Sequence, residues 1–225
     1  MNIIKNILNS YKKNRNNLKR KYLSNMSTED VFTSYFNENK WGDRSSRSGK
    51  GSNLSSTEDV IKLLPIIFKE YNIKSLVDLP CGDFYWMKHV DLNGVEYTGA
   101  DIVSGIIDFN KSKFESLGIN FLMLDITKDT IPDCDLLFSR DCLVHLSNEL
   151  VHSALENIKK SNVKYFLTTH YPDIETNEDI VTGEWRAINI CKAPFFFGNP
   201  ISLYKETYRN EKGQQLNKSL ALFEI

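Results

Sequence analysis

The sequence lacks the features of several large protein classes. Its four cysteines form no C-x-x-C pair and no His/Cys zinc spacing, so we expect free thiols and no metal. No apolar run approaches the length of a membrane span, and no signal-peptide core is present. The formal net charge of −1 gives no case for a strongly electrostatic partner, so we do not expect a nucleic-acid partner. We therefore expect a cytoplasmic globular protein, and 225 residues suffice for one domain with a sizeable core.

Four short apolar segments each have an aspartate at or just beyond their carboxyl end. The segments are residues 75–79, 95–100, 120–124 and 135–139, and the acids are Asp78, Asp101, Asp125 and Asp141. Ligands of an α/β sheet bind beyond the carboxyl ends of its parallel strands, so we expect these carboxylates at one edge. An acid about 20 residues after the first turn typically accepts hydrogen bonds from ribose, as Asp101 would. Asp125 would then lie near a purine ring.

The turn after the first segment lacks the glycines of a dinucleotide site. A pyrophosphate needs G-x-G-x-x-G at a helix N-terminus, but this turn reads Pro80-Cys81-Gly82-Asp83-Phe84. Pro80 has no backbone N–H to donate, and Asp83 puts negative charge where a pyrophosphate would lie. Both residues disfavour NAD. Both suit a nucleoside that has a positive centre and no phosphate, and S-adenosylmethionine (SAM) meets that description.

Four segments resemble the motifs of class I SAM-dependent methyltransferases. Residues 77–82 are similar to the first motif, D-x-G-x-G, residues 97–101 to the second and residues 124–126 to the third. Residues 135–146 resemble the fourth strand and the segment after it. Pro80 and Phe84 stand where the common motif has glycines. This C-G-D-F variant, with Trp-Gly, Ser-x-x-Gly-Ser and Arg-Asp-Cys elements, resembles a subgroup among small-molecule and bacterial surface-glycan methyltransferases.

The resemblance covers about residue 41 to the C-terminus and implies an α/β fold. The expected fold is Rossmann-like and doubly wound, with a mostly parallel seven-stranded sheet, a C-terminal antiparallel hairpin and an N-terminal helical extension. Strands at 163–169, 201–208 and 219–225 would complete the sheet, with the hairpin turn around Gly213. Residues 1–54 would form lid-like helices with a Gly/Ser/Arg loop. Residues 55–225 would form the SAM-binding domain, with an acceptor-pocket insertion at 170–200.

The predicted cofactor site combines the acidic strand ends, the turn after the first strand and the Gly/Ser/Arg loop. Its residues are Trp41, Arg47, Ser48, Ser52, Asp78, Pro80, Cys81, Gly82, Asp83, Trp86, Asp101, Ile102, Asp125, Ile126 and Arg140. We expect Arg44 or Arg47 to pair with the SAM carboxylate or with an acceptor anion, because a guanidinium forms forked hydrogen bonds. An ordinary surface loop would have the same composition.

The acceptor pocket is expected in residues 170–200, because a connection this long is usually functional. Its candidate residues are Tyr171, Trp185, Arg186 and Asn189. A hydroxyl acceptor must lose a proton, and the candidate bases are Asp141, His145 and His170. His145 has the most suitable intrinsic pKa, although a lone histidine is more often structural. Asp141 is either a base or a group that orients His145 or the acceptor.

Residues 1–26 are rich in Asn, Lys and Arg, and no acid occurs before Glu29. Their apolar residues fall at loosely helical spacing. These residues are Ile3, Ile4, Ile7, Leu8, Tyr11, Leu18 and Tyr22. We interpret the segment as a solvated amphipathic helix at the edge of the domain. The alternatives are a lid over the cofactor, or contact with an acidic acceptor or a lipid surface.

The leading hypothesis is a SAM-dependent O-methyltransferase that acts on a polar small molecule or glycan precursor. A sugar or a phosphorylated building block of a capsule or surface polysaccharide would fit. The alternatives are a nucleic-acid or protein methyltransferase tethered by the basic N-terminus, a non-catalytic SAM-binding module, and a nicotinamide oxidoreductase. No Asn/Asp-Pro-Pro-Tyr sequence follows the fourth strand, which counts against methylation of exocyclic base amines. The oligomeric state is left open by the sequence.

Overall fold

The computed structural model of this chain describes residues 14–209 and 215–225. Its α-helices are α1 over residues 14–24, α2 at Thr28–Asn37, α3 at Leu54–Glu70, α4 at Ser104–Phe114 and α5 at Asn148–Lys160. Short 3₁₀ turns occur at Lys50–Ser52, Met87–His89, Glu115–Leu117 and Leu143–His145. The helical pattern predicted before residue 14, and Gly213 of the predicted turn, lie outside the described residues.

The strands form one large sheet and one small ribbon. They are β1 at Ser75–Asp78, β2 at Glu96–Asp101, β3 at Asn120–Met123, β4 at Cys134–Ser139, β5 at Val163–His170, β6 at Ser202–Lys205, β7 at Tyr208–Arg209, β8 at Gln215–Leu216 and β9 at Ser219–Glu224. The seven-stranded sheet has the order β3-β2-β1-β4-β5-β9-β6, and β7 pairs with β8 separately. Strands β1 to β5 are parallel, and β9 lies antiparallel between β5 and β6. The predicted fold class, with its C-terminal hairpin, is confirmed.

Helices cover both faces of this sheet, as expected when parallel strands are apolar on both sides. Leu76 and Leu136, which are register partners in β1 and β4, lie in one hydrophobic cluster together with α3. Their neighbours Val77 and Leu137 lie in a second cluster together with α5. The alternation follows from the two-residue period of a strand. The sheet is therefore the rigid layer between two cores.

Helices α2, α3 and α5 begin where a polar side chain caps a free backbone N–H group. The side chain of Asn53 accepts a hydrogen bond from the backbone N–H of Ser56 at the start of α3. Ser147 does the same for Leu150 at the start of α5. Such caps stabilise a helix by about 1 kcal/mol. Because α3 is fixed at Asn53, the loop before it is held next to the carboxyl edge of the sheet.

The fold makes a prediction about α3. Leu64 is fully buried in the core, so Leu64→Ala should lower the free energy of unfolding by about 2–5 kcal/mol. Ile66 lies on the same helix with 58% of its surface exposed, and Ile66→Ala is the matched control, with a change of at most about 0.5 kcal/mol. Urea unfolding followed by circular dichroism measures both. Equal unfolding midpoints for the two variants would contradict the predicted packing of α3.

Candidate functional site

A cavity of about 1380 Å³ lies along the carboxyl edge of the sheet. All of the predicted cofactor-site residues except Arg47 line it. The candidate bases Asp141 and His145, and the acceptor candidates Tyr171 and Trp185, line the same cavity. Within residues 14–209 and 215–225, no group of three His, Cys, Asp or Glu side chains is placed to hold a metal ion.

Asp78, at the end of β1, is almost completely buried in the wall of this cavity. One of its carboxylate oxygens accepts a hydrogen bond from the Tyr97 hydroxyl at 2.8 Å. Burial raises the pKa of Asp78 to about 8; the Tyr97 hydrogen bond opposes this shift, and the nearby Asp101 charge adds to it. The ionised form of Asp78 is therefore disfavoured until a positive charge enters the cavity.

Asp101, at the end of β2, holds the turn that follows β1. Its two oxygens accept hydrogen bonds from the backbone N–H groups of Gly82, at 3.1 Å, and Val103, at 3.0 Å. Burial raises the pKa of Asp101 to about 6, and these backbone hydrogen bonds keep the rise smaller. Each oxygen keeps a second lone pair for a ligand.

Asp125, two residues beyond β3, has local partners. Its Oδ1 accepts hydrogen bonds from the backbone N–H of Thr127 at 2.9 Å and from the Thr127 hydroxyl at 2.6 Å. The ammonium of Lys128 lies 3.3 Å from its Oδ2. Asp125 and Ile126 both line the cavity. The negative charge of Asp125 is therefore balanced by the Lys128 ammonium and by the Thr127 hydrogen bonds, whereas Asp78 and Asp101 have no such ammonium partner among the described residues.

The turn at Gly82 is fixed from three sides. Its N–H is bound by Asp101, and its carbonyl accepts a hydrogen bond from the Asn110 side chain at 2.8 Å. Gly82 has a φ of +55°, and a Cβ at this position would lie 2.2 Å from the Ser48 hydroxyl oxygen. Only glycine combines this backbone conformation with the close approach of Ser48.

Asp83 ties the Gly/Ser/Arg loop to this turn. Its Oδ1 accepts a hydrogen bond from the Ser46 hydroxyl at 2.9 Å, and its Oδ2 accepts one from the Arg47 backbone N–H at 2.9 Å. The Asp83 backbone N–H in turn donates to the Ser48 hydroxyl oxygen at 3.1 Å. Asp83 therefore acts as the anchor that holds the loop over the cavity.

The predicted role of Arg44 or Arg47 at the cavity needs correction. The Arg47 guanidinium lies over the Phe36 ring, 5.3 Å from its centre, and neither Arg44 nor Arg47 lines the cavity. The Arg47 backbone N–H donates to Asp83 Oδ2. Among the described residues that do line the cavity, the arginine is Arg140.

Arg140 belongs to a cluster of four charged side chains, three of which are buried, while the Asp141 side chain is 28% exposed. Its Nε and Nη2 donate to Glu206 Oε2 at 3.0 and 2.7 Å, and its Nη1 lies 3.2 Å from Asp141 Oδ2. The Lys218 ammonium lies 2.8 Å from Asp141 Oδ2 and 3.5 Å from Glu206 Oε2. Arg140 Nη1 also donates to the Gly51 carbonyl at 2.8 Å. Two cations and two anions thus balance one another in the cavity wall.

These contacts keep all of the charges in place. Burial alone would lower the pKa of Arg140, but the carboxylates of Glu206 and Asp141 outweigh it and raise that pKa. Burial alone would raise the pKa of Asp141, but Lys218 and Arg140 hold it well below its usual range. Asp141 is therefore ionised at any physiological pH and is a poor general base. Of its two predicted roles, the geometry favours orientation.

His145 has the geometry expected of a base. Its Nδ1 lies 2.8 Å from the Glu184 carbonyl oxygen, which can only accept a hydrogen bond, so Nδ1 carries the proton. The neutral ring then has its lone pair on Nε2. Burial lowers the pKa of His145, and the Glu184 hydrogen bond and the Asp141 charge oppose that shift. The side chain lines the cavity and is neutral around pH 7.

His170 was predicted as a third candidate base, and its position contradicts that role. It is 2% exposed at the end of β5, where it pairs with Ser219, and it does not line the cavity. Burial lowers its pKa to about 4. His170 is a neutral core residue.

Residues 170–200 contribute two aromatic side chains to the cavity. Tyr171 and Trp185 contact each other edge to face with ring centres 6.0 Å apart, and Trp185 is 45% exposed. The two other predicted acceptor residues organise the loop instead. Arg186 Nη1 donates to the Leu146 carbonyl at 2.7 Å, and Asn189 Nδ2 donates to the Ile174 carbonyl at 2.9 Å. Neither Arg186 nor Asn189 lines the cavity.

Several residues of the site were missed by the sequence analysis. Tyr97, Asn110, Glu206 and Lys218 all contact its central groups. A sequence signal existed for the last two, because charged residues that flank the two apolar strands of a C-terminal hairpin lie at the end of the sheet. Nothing in the sequence indicates which strand end they would meet.

The charged cluster makes a stability prediction. Glu206→Ala removes the partner of Arg140 and leaves a buried excess of positive charge, which should cost about 3–5 kcal/mol of unfolding free energy. Glu175, which is 75% exposed and pairs with Lys192 at 2.8 Å, supplies the control Glu175→Ala, for which we expect no measurable change. Thermal and urea unfolding of the two variants measure the difference. A Glu206→Ala protein as stable as the parent would show that the cluster is not a buried network.

No family model and no curated protein sequence matches the chain, but solved structures do. Magnesium protoporphyrin IX methyltransferase from Synechocystis PCC 6803, with bound S-adenosylhomocysteine (SAH), has a TM-score of 0.58 at 13% identity over 86% of this chain and 96% of its own. An S-adenosylmethionine-dependent methyltransferase from Clostridium acetobutylicum ATCC 824 has a TM-score of 0.56 at 14% identity, and the match covers 75% of this chain and 91% of that protein. The methyltransferase domain of bacterial CtHen1 has a TM-score of 0.54 at 13% identity, and the match covers 77% of this chain and 100% of that domain. The chain therefore has the Rossmann-like fold of class I SAM-dependent methyltransferases.

Proposed function

We propose that this chain is an enzyme that transfers a methyl group from SAM to a polar acceptor. The observation that carries this proposal is the pair of buried carboxylates, Asp78 and Asp101, in the wall of one cavity. Both have raised pKa values because of burial, so a ligand with a positive centre would relieve an unfavourable arrangement. The similarity to a methyltransferase with bound SAH supports the choice of ligand.

The residues present fit SAM better than a dinucleotide. The turn at Gly82 is occupied by Ser48 and Asp101, and Asp83 adds a third acid, so no cradle for a phosphate forms there. Asp101 would accept hydrogen bonds from the ribose, and Asp125 with Ile126 would border the adenine. When bound, SAM supplies a methyl group activated by its sulfonium.

His145 is the proposed general base. Its Nε2 has the lone pair, and its Nδ1 proton is held by the Glu184 carbonyl, so a hydroxyl that binds beside it can transfer its proton to Nε2. Asp141 does not take this proton, because Lys218 and Arg140 keep it ionised. It instead stabilises positive charge on His145 after the proton has moved. These roles favour oxygen as the methylated atom.

The proposed acceptor is a polar small molecule or a glycan precursor, such as a sugar or phosphorylated building block of a surface polysaccharide. Tyr171 and Trp185 offer an aromatic wall to a ring, while His145 and Lys218 offer polar groups nearby. Residues 41–53 of the N-terminal part contribute Trp41, Ser48 and Ser52 to the wall, which supports a lid-like role for that part.

The cofactor assignment is tested by Asp101→Asn. The substitution removes a negative charge from the ribose side of the site, and SAM binding should weaken by about 1–3 kcal/mol. Asp108→Asn, at an exposed position on α4, is the matched control and should bind SAM as the parent does. Isothermal titration calorimetry measures the SAM affinity of each variant, and a parallel titration with NAD tests the alternative ligand. Absence of SAM binding by the parent protein would overturn the proposed function.

The base assignment is tested by His145→Ala. We expect SAM affinity to be retained and turnover to fall by about 10²–10⁴-fold. Because the pKa of His145 is lowered, the parent should stay active below the ordinary histidine range and lose activity only as the pH falls through that lowered pKa. His152→Ala, at an exposed position on α5, is the control. SAH formation with acceptors from a screen of sugars and sugar phosphates provides the rates.

Two results would separate the alternatives. Normal turnover by His145→Ala would remove this residue from the catalytic list. SAM binding without turnover on any sugar, protein or nucleic-acid acceptor would favour a non-catalytic SAM-binding module.

A further inference from the structure

Helix α1 turns an apolar face toward solvent. Leu18 and Tyr22, one helical turn apart, are 68% and 63% exposed. Leu23, on the other side of the helix, is 3% exposed and packs with Val31 and Tyr35 of α2. An amphipathic helix at the edge of a domain normally buries its apolar stripe against that domain. Here the Leu18/Tyr22 face points away from it.

This orientation is fixed by specific contacts. The Arg20 guanidinium lies 3.4 Å from the Glu184 carboxylate, on the same side as the buried Leu23. Lys19 reaches the cavity wall. Rotation of α1 to bury Leu18 would break both interactions, so the exposed face is part of the folded arrangement.

Apolar residues also recur in the sequence before α1. They are spaced three or four residues apart or adjacent to one another, a sequence pattern typical of amphipathic segments. These positions are Ile3, Ile4, Ile7, Leu8 and Tyr11. Residues 1–13 enter here only through their sequence.

The rest of this N-terminal segment is cationic. Its charged residues are Lys5, Lys12, Lys13, Arg15, Lys19, Arg20 and Lys21, and no acid occurs before Glu29. The chain as a whole has a formal net charge of −1, so the positive charge is concentrated at this end. An apolar stripe flanked by Lys and Arg is the pattern of helices that lie in a membrane interface.

We propose that α1, over residues 14–24, binds the surface of an anionic lipid bilayer. An anionic bilayer can bind both parts of such a helix. Its apolar residues insert at the boundary of the acyl chains, and its Lys and Arg side chains contact the anionic headgroups. A nucleic acid would use the cations and leave Leu18 and Tyr22 in water. No helix among the described residues is long and apolar enough to cross a membrane, so the predicted attachment is peripheral. Since Lys19 lines the cavity, the cavity mouth would then lie beside the bilayer.

Cosedimentation of the full chain with vesicles tests this inference. We expect binding to phosphatidylcholine vesicles that contain about 30% phosphatidylglycerol, and binding to pure phosphatidylcholine weaker by about tenfold or more. The double variant Leu18→Ser/Tyr22→Ser should lose about tenfold in vesicle affinity. Lys21→Glu should lose at least about fivefold, because one cation near the surface contributes about that factor.

Leu117→Ser is the matched control, since Leu117 is 72% exposed at the end of the 3₁₀ turn after α4. It should bind vesicles like the parent. Circular dichroism melting of all variants checks that the fold is kept, and these residues lie outside the catalytic groups. Vesicle binding unchanged in Leu18→Ser/Tyr22→Ser, or absent in the parent, would overturn the proposal. A dimer in analytical ultracentrifugation that this variant dissociates would identify a second copy as the occupant, and tighter binding to duplex RNA, unchanged in the variant, would identify nucleic acid.

Discussion

The guanidinium of Arg140 joins three parts of the chain that are far apart in sequence. It binds Glu206 beside the C-terminal hairpin, the Gly51 carbonyl before α3, and Asp141 beyond β4. A buried guanidinium is costly unless its donors find acceptors, so these segments are held together by the need to satisfy one cation. The loop before α3, the central strand and the hairpin thus become one wall of the cavity. The shape of the site depends on this electrostatic constraint.

The same cavity contains two electrostatically different halves. Around Arg140, Asp141, Glu206 and Lys218, opposite charges neutralise each other, and the charged forms are stable. Around Asp78 and Asp101, no cationic side chain supplies the main compensation, and burial raises both pKa values. The first half is complete without a ligand, whereas the second becomes favourable when a positive group enters. This difference is the reason for proposing that a cationic cofactor binds in the second half.

The fold was predictable because its signals are local. Four of the five parallel strands, β1 to β4, are short apolar runs that end near an aspartate, and the two-residue period of a strand matches burial on both faces. Parallel strands share one direction, so their carboxyl ends must meet at one edge, and Asp78, Asp101 and Asp125 line the same cavity as expected. Chain direction alone was sufficient for this part of the site.

The remaining site residues depend on contacts that composition does not encode. Arg47 and Arg140 are the same residue type, but the Arg47 side chain packs on Phe36 because Asp83 holds its backbone. Arg186, in the loop after β5, binds backbone carbonyls instead of lining the cavity. In each case the role follows from a partner far away in sequence. The sequence placed Arg47 and Arg186 in loops near the site, but it did not indicate which groups their side chains would contact.

The histidines show how a single distant contact assigns a chemical role. His145 lies in the 3₁₀ turn after β4 and His170 is the last residue of β5, and both have lowered pKa values caused by burial. The difference is the Glu184 carbonyl, 39 residues after His145, which fixes the proton on Nδ1 and leaves Nε2 as an acceptor in the cavity wall. His170 has no hydrogen-bond partner for its buried Nδ1 among the described residues. A shifted pKa is therefore not enough to identify a base, because the tautomer and access to the cavity decide whether a lone pair can receive a proton.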